Sequence, residues 1–324
     1  MNTTDPPPPR LLDRLRHACR VRHYSRRTED AYHDWAERYI RFHEIRHPEA
    51  MGEPEVNAFL THLAVVRNVS ASTQNQALAA LLFLYATVLG RPLNELKIVR
   101  ANRPKRLPVV LTRDEVRAVL GRLDGVNGLV ARLLYGTGMR LLEGLRVRVK
   151  DLDFALNQVT VRGGKGDKDR VTVLPVALAP ARRHQLDAAR GLHAADLREG
   201  FGRVYLPTAL AVKYPEAEVQ WGWQYAFPSV RRSVDPRSGV ERRHHLNECS
   251  VSRAVTEAVR AAGLTKPATA HTLRHSFATH LIADGVDIRT VQELLGHESV
   301  ETTMIYTHVL NKGGRGVTSP LDRM

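Results

Sequence analysis

Helical periodicity runs through the first hundred residues and then stops between Arg100 and Arg113, where Arg100, Arg103, Lys105 and Arg106 stand with Pro104 and Pro108 and no acidic residue. Such a break excludes one continuous core across it. Two domains joined by a cationic, proline-stiffened connection are expected, which also suits a length of 324 residues. The reading is residues 1–100 as a helical domain, 101–110 as a basic linker and 111–324 as a second domain. In the first, Tyr32, Trp35, Tyr39 and Ile40 recur at helical spacing behind a Ser25 cap. Val56, Phe59, Leu60 and Leu63 follow Pro54, and a third helix from about Ser72 carries Leu78, Leu81, Leu82, Tyr85 and Leu89. The second opens on Thr112-Arg113-Asp114-Glu115, a capping box. Two alternating runs, Gln158 to Arg162 and Arg170 to Leu174, flank a basic glycine-rich loop and predict a β-hairpin; from Val176 helices return, interrupted by an irregular insert at about 201–246. The fold class expected is mainly α with a small antiparallel sheet (α+β).

The charge balance is 48 Lys+Arg against 34 Asp+Glu, a net +14, which points to a polyanionic partner. Arg10, Arg14, Arg16, Arg20, Arg22, Arg26 and Arg27 gather on the outer side of the first helices, where they suit phosphate contact or simply a solvated face. With Arg103, Lys105 and Arg106 they suit a chain that closes around a duplex, although a plain tether has the same composition. Cys19 and Cys249 are too few and too far apart for a disulfide framework, so a reducing cytoplasmic setting is expected. Neither a signal peptide nor an apolar run of about 18 residues is present, and no membrane association is expected.

Singly, the polar residues of the second domain are weak signals. Arg140 reads as a surface arginine at a helix start, Lys165 as a loop lysine, His271 and Arg274 as a helix-face pair, His297 as a C-terminal cap and Tyr306 as a core tyrosine. Their ordered combination supplies what metal-free phosphodiester cleavage requires. Two guanidiniums clamp the nonbridging oxygens, a tyrosine attacks in line, and a lysine on the hairpin loop protonates the leaving 5′ oxygen. Tyrosine ionises near pH 10, so it needs a base or a cationic pocket, which His271 and the arginines offer. With no phosphate-binding Gly-x-x-x-x-Gly-Lys-Ser/Thr loop and no acidic Mg²⁺ cluster near these motifs, no metal, nucleotide or other cofactor is expected.

Thr137 to Leu145, Gly164-Lys165-Gly166, His271 to Thr279, Leu294-Leu295-Gly296-His297 and Thr303 to Tyr306 together resemble the signature of the tyrosine recombinases. The first hundred residues resemble that family's core-binding domain. The resemblance implies a C-clamp around DNA, Tyr306 as the nucleophile of a 3′-phosphotyrosine, and Arg140 and Arg274 on the scissile phosphate. It implies Lys165 as general acid, His271 at the Tyr306 proton, His297 on the phosphate and Glu143 orienting its neighbours. Lys168 competes for the acid role.

From Phe201 to Phe227 stand seven of the chain's nineteen aromatics, followed by Arg231, Arg232, Arg237, Arg242, Arg243, His244 and His245. Aromatics beside arginine suit stacking of unpaired bases, or else a satellite core under a long loop. The run Tyr205-Leu206-Pro207 through Trp221-Gly222-Trp223 to Arg242-Arg243-His244-His245-Leu246 is similar to the additional segment of integron integrases. This implies joining of a duplex attI site to a folded single-stranded attC hairpin with protruding bases; Trp223, Pro236, His244 and His245 are expected to line pockets for those bases, and Trp221, Arg242 and Arg243 to contact DNA. The family resemblance also implies a homotetramer on DNA, and a protein nucleoid-associated when bound is expected; residues beyond Tyr306, Leu310 and Val317 to Leu321 among them, suit docking on a neighbouring protomer or a free tail. The rivals are zinc at His244, His245 and Cys249, a relaxase-type nuclease, a recombinase of two duplex sites, and a catalytically silent DNA-binding protein.

Overall fold

A computed structural model of the chain describes residues 10–94, 108–163, 168–310 and Leu321. The chain divides into two compact units, residues 1–106 and 107–324.

In the first unit, α1 (Leu11–Val21), α2 (Arg26–Phe42), α3 (Glu53–Val65) and α4 (Ala71–Phe83) surround one core, and α4 runs on as a π turn over Leu84–Val88. The Ser25 hydroxyl accepts from the Thr28 N–H, as a cap should. The α4 helix starts at Ala71, beside the expected Ser72, and is capped by Ser70, whose hydroxyl accepts from the Thr73 N–H. The stripes meet in a core of Leu15, Trp35, Tyr39, Phe59, Leu60, Leu81 and Tyr85. Its buried hydroxyls are satisfied internally, Tyr39 against Tyr85 at 2.8 Å and Tyr85 to the Pro48 carbonyl at 3.2 Å.

The basic face of this unit is less free than its sequence suggests. Glu29 is 2% exposed, and a buried carboxylate must be paired. Arg20 meets it at 2.9 Å and Arg16 at 3.4 Å, while Arg14 donates to the Val88 carbonyl. Arg10, Arg22, Arg26 and Arg27 are exposed, with Arg26 3.6 Å from Asp30. Arg100, Arg103, Lys105 and Arg106 lie outside the described residues.

The second unit opens with α5 (Arg113–Leu120), α6 (Gly125–Thr137) and the short α7 (Leu141–Leu145). An antiparallel sheet follows, ordered β1 (Leu152–Asp153), β2 (Gln158–Val161), β3 (Arg170–Val173); β1 is an addition to the expected hairpin. Val159 pairs with Thr172 and Val161 with Arg170. Beyond α8 (Ala179–Arg198) and the insert come α10 (Glu248–Ala261), α11 (Ala270–Ala283), α12 (Ile288–Leu295) and α13 (Val300–Leu310), with α9 inside the insert at Thr208–Lys213. The core joins Val130, Leu133 and Leu134 of α6 to Val251, Val255 and Val259 of α10 and to Leu273 of α11.

The insert is more ordered than expected. Besides α9 it holds short 3₁₀ turns at Pro215–Glu218 and Trp221–Trp223 and a ribbon of β4 (Ser233–Val234) and β5 (Glu241–Arg242). Val204, Leu206, Ala217 and Tyr225 form a satellite core, with Leu210 and Trp223 packed on it. Asp196 of α8, 2% exposed, anchors the insert through Arg243, at 2.5 and 2.7 Å, and Arg232, at 3.0 Å. No helix among the described residues is long and apolar enough to cross a membrane.

Candidate active site

The site assembles where α6, α11 and the ends of β3 and α12 converge. Gly138 ends α6 at φ +67°, and a Cβ there would lie 2.5 Å from the Phe277 ring, so only glycine makes this turn. The turn sets Arg140 at the head of α7. Its main-chain N–H and its guanidinium both hold Glu143, at 2.8 and 2.6 Å. Arg170, from the first position of β3, meets the same carboxylate with two donors at 2.6 and 3.2 Å and reaches the Leu294 carbonyl with its Nε at 2.9 Å. Burial pushes the Glu143 pKa up, but Arg170 and the Arg140 main chain outweigh it and hold the carboxyl at about 2.

Arg274 is 1% exposed. Its two terminal nitrogens donate to the Gly138 and Leu295 carbonyls, each at 2.6 Å, and Nη1 lies 3.8 Å from Glu143. These contacts fix the fork and leave donors for an anion. Burial, then Arg140, lowers its pKa to about 9, so it remains a cation at neutral pH. Gly296 ends α12 at φ +64°, with the Arg170 side chain 2.8 Å from where a Cβ would sit. This second turn presents His297, whose Nδ1 pairs with the Thr303 hydroxyl at 2.9 Å.

Tyr306 of α13 is 2% exposed, its ring 6.3 Å from that of His297 and nearly parallel to it. Burial raises its pKa, while Arg274 and Arg140 pull the other way. Its hydroxyl pairs at 2.9 Å with Nδ1 of His275, not with His271. His271, one turn earlier on α11, is exposed and meets the His275 ring edge-on at 4.4 Å. The expected pairing therefore moves by one helical turn, because α13 crosses α11 at the level of His275.

Arg140, Glu143, Arg274, His297 and Tyr306 thus come together, with His271 beside them through His275. Lys165 lies outside the described residues; Lys168 is exposed next to β3. Arg170 and His275 were missed from sequence. For Arg170 a signal existed, since the period of two puts it on the same side of β3 as buried Thr172, whose hydroxyl donates to the Thr137 carbonyl.

The insert residues are distributed differently. Trp221 stacks on His193 at 6.0 Å, and Lys150 sits 2.7 Å above the Trp223 ring. Arg242 is held between Asp235 at 3.2 Å and Glu218 at 3.7 Å, and Arg243 is bound to Asp196. Both were expected on DNA; in the structure they close the insert. His245 is 8% exposed, whereas His244 and the β4–β5 turn carrying Pro236 are exposed. Among the described residues, the His, Cys, Asp and Glu side chains within mutual ligand reach are His33, Asp34 and Glu37 on α2, not the His244, His245 and Cys249 group.

Burial, followed by neighbouring positive groups, lowers His275 and His297 to about 4 from an ordinary 6.5, so both are neutral at pH 7. Between those values the unfolded chain binds more protons than the folded one. Stability is then present above about 6.5 and lost as pH falls toward about 4, at up to about 1.4 kcal/mol per pH unit for each ring. Urea unfolding at pH 7, 6 and 5 measures this; a flat profile contradicts the assignment.

Arg140 and Arg170 locked on Glu143, the buried Arg274, two neutral histidines and the buried Tyr306 thus form one strongly cationic cluster. The phage integrase family model matches residues 110–312, and the phage integrase N-terminal SAM-like domain matches residues 11–95. An integrase/recombinase of Escherichia coli is 56% identical over 99% of this chain and 97% of its own length. Tyrosine recombinase XerA of Thermococcus onnurineus is 34% identical over 82% of this chain and 81% of its own. The structure of XerH recombinase in a post-cleavage complex with palindromic difH superposes with a TM-score of 0.59 at 21% identity, covering 92% of this chain and 81% of that one. The chain belongs to the phage integrase family. It is a site-specific tyrosine recombinase, an enzyme that acts on DNA.

Proposed function

We propose that this recombinase is an integron integrase, which inserts and excises gene cassettes between an attI duplex and a folded attC strand through a 3′-phosphotyrosine on Tyr306. Arg140 and Arg274 bind the scissile phosphate, His297 hydrogen-bonds it, and Glu143 fixes both arginines. Lys165 or Lys168 protonates the leaving 5′ oxygen. Residues 1–100 and 111–324 close on DNA through the 101–110 linker, and four protomers act around one junction. The observation that carries cleavage is the Tyr306 hydroxyl within one cluster of Arg140, Arg274 and His297. The cassette reading is supported by the insert, a separately packed unit that leaves Pro236 and His244 at its surface.

One observation favours the rival, a recombinase of two duplex sites. Trp223 is packed on the satellite core under Lys150, and Arg243 is tied to Asp196, so neither is free to take a base without rearrangement. Matched binding to a bulged hairpin and to a perfect duplex decides between them. On the cassette reading Trp223→Ala loses about 1–3 kcal/mol of hairpin affinity, the worth of one stacked base, and little on the duplex. Equal loss on both substrates, or none, leaves the duplex reading. Truncation after Lys312 is expected to abolish synaptic complexes while sparing single-site binding, as gel mobility would show.

A further inference from the structure

Resting on Tyr306 as nucleophile, we propose that His275 is a catalytic residue that takes the tyrosine proton during DNA cleavage. Its Nδ1 is 2.9 Å from the Tyr306 hydroxyl, which is hydrogen-bond distance for direct transfer. The hydrogen bond of the hydroxyl goes to His275, whereas His271 meets the His275 ring edge-on at 4.4 Å. The geometry assigns a tautomer: Nδ1 accepts from the phenol, so Nε2 carries the ring proton.

The surroundings keep the His275 ring unprotonated. His271 and Arg274 approach His275 from its own helix, Tyr306 from α13 and His297 from the turn after α12. Burial and then the positive field of His271 and Arg274 disfavour its protonated form, so at neutral pH the ring is unprotonated and Nδ1 can accept, the proton moving only as the Oη–phosphorus bond forms and the phenol becomes acidic. A proton placed on it is transient, and is returned to Tyr306 when the phosphotyrosine is resolved. The step balances. As Oη bonds to phosphorus, its proton passes to His275 Nδ1; the bond from phosphorus to the 5′ oxygen breaks, and that oxygen takes a proton from the lysine general acid. In the reverse step the 5′ hydroxyl attacks the phosphotyrosine, and His275 reprotonates the departing phenolate. The negative charge of the pentacoordinate state falls on Arg140 and Arg274. His271, exposed beside them, is left to face the phosphate.

The test is single-turnover covalent trapping on nicked suicide DNA across pH 5–9. The key variant is His275→Asn, whose Oδ1 falls near the Nδ1 position: it keeps an acceptor for the phenol but cannot take a proton. Expected is a 10²- to 10⁴-fold slower cleavage, typical of a lost general base. Site binding should be unchanged, and the rate should now rise with hydroxide toward the tyrosine pKa. Wild-type rate and pH profile in His275→Asn overturn the proposal, as does transfer of that altered profile to His271→Asn instead. If His275→Asn melts early, His275→Gly rescued by added imidazole replaces it, and absence of rescue counts against His275. Should wild type form no adduct, the Tyr306 reading itself has failed, a result distinct from any of these.

Discussion

Tyr306→Phe is expected to bind its DNA site as wild type does and to form no covalent adduct on nicked suicide DNA, a loss bounded only by the detection floor. Physical grounds separate this outcome from unfolding. The ring is 2% exposed and its hydroxyl pairs with His275, so phenylalanine keeps the packing and leaves one half-buried histidine nitrogen unmatched. A deficit of that kind costs about 1 kcal/mol. The variant should therefore melt close to wild type, and gel-shift affinity should hold. Of the other tyrosines of this unit, Tyr135 pairs with His280 at 2.9 Å and Tyr225 is 5% exposed in the satellite core, while Tyr205 and Tyr214 are exposed on the insert. Persistent covalent trapping in Tyr306→Phe would transfer the nucleophile to one of them and overturn the assignment.

The architecture was legible because periodicity is local. Ser25, Pro54, the Thr112 capping box and the alternating runs at 158 and 170 each act within a few residues, and the structure forms helices and strands there. Errors arise where a long-range partner decides. Arg16 and Arg20 read as surface charge because nothing in a helical pattern reveals that Glu29 is buried. His271 and His275 are equivalent in sequence, one turn apart on one face, and only the crossing of α13 selects the second. Arg242 and Arg243 look like a basic patch until Asp196, Glu218 and Asp235 are brought against them. Aromatic density in the insert is likewise compatible with base stacking or with a small core, and packing puts Trp223 on the core. The net +14 thus overstates the charge available to DNA, and the slope of log K against log salt should count phosphates contacted, not arginines present.

Glu143→Gln is the second large effect, because that carboxylate is the shared anion of the site. It is ion-paired with Arg140 and Arg170 and lies 3.8 Å from Arg274, whose side chains are 29%, 9% and 1% exposed. The amide keeps the shape, removes the charge and points an N–H₂ group at guanidinium donors. Breaking a buried pair in this way costs about 3–5 kcal/mol. For a unit of this size, that lowers the melting point by about 10 °C. The pH dependence identifies the cause. Glu143 titrates at about 2 in the folded protein against 4.5 for an ordinary glutamate, so its contribution is present above 4.5 and lost as pH falls toward about 2. The gap between wild type and Glu143→Gln should be constant from pH 5 to 7 and narrow below 4.5; a gap independent of pH down to 3 would show a packing defect instead. Function should split as well. The site gains one net positive charge, so DNA affinity holds or rises, whereas cleavage falls because Arg140 loses the carboxylate that fixes its guanidinium and Arg274 loses its neighbouring anion. Parallel loss of affinity and cleavage would mean that Glu143 supports only the fold.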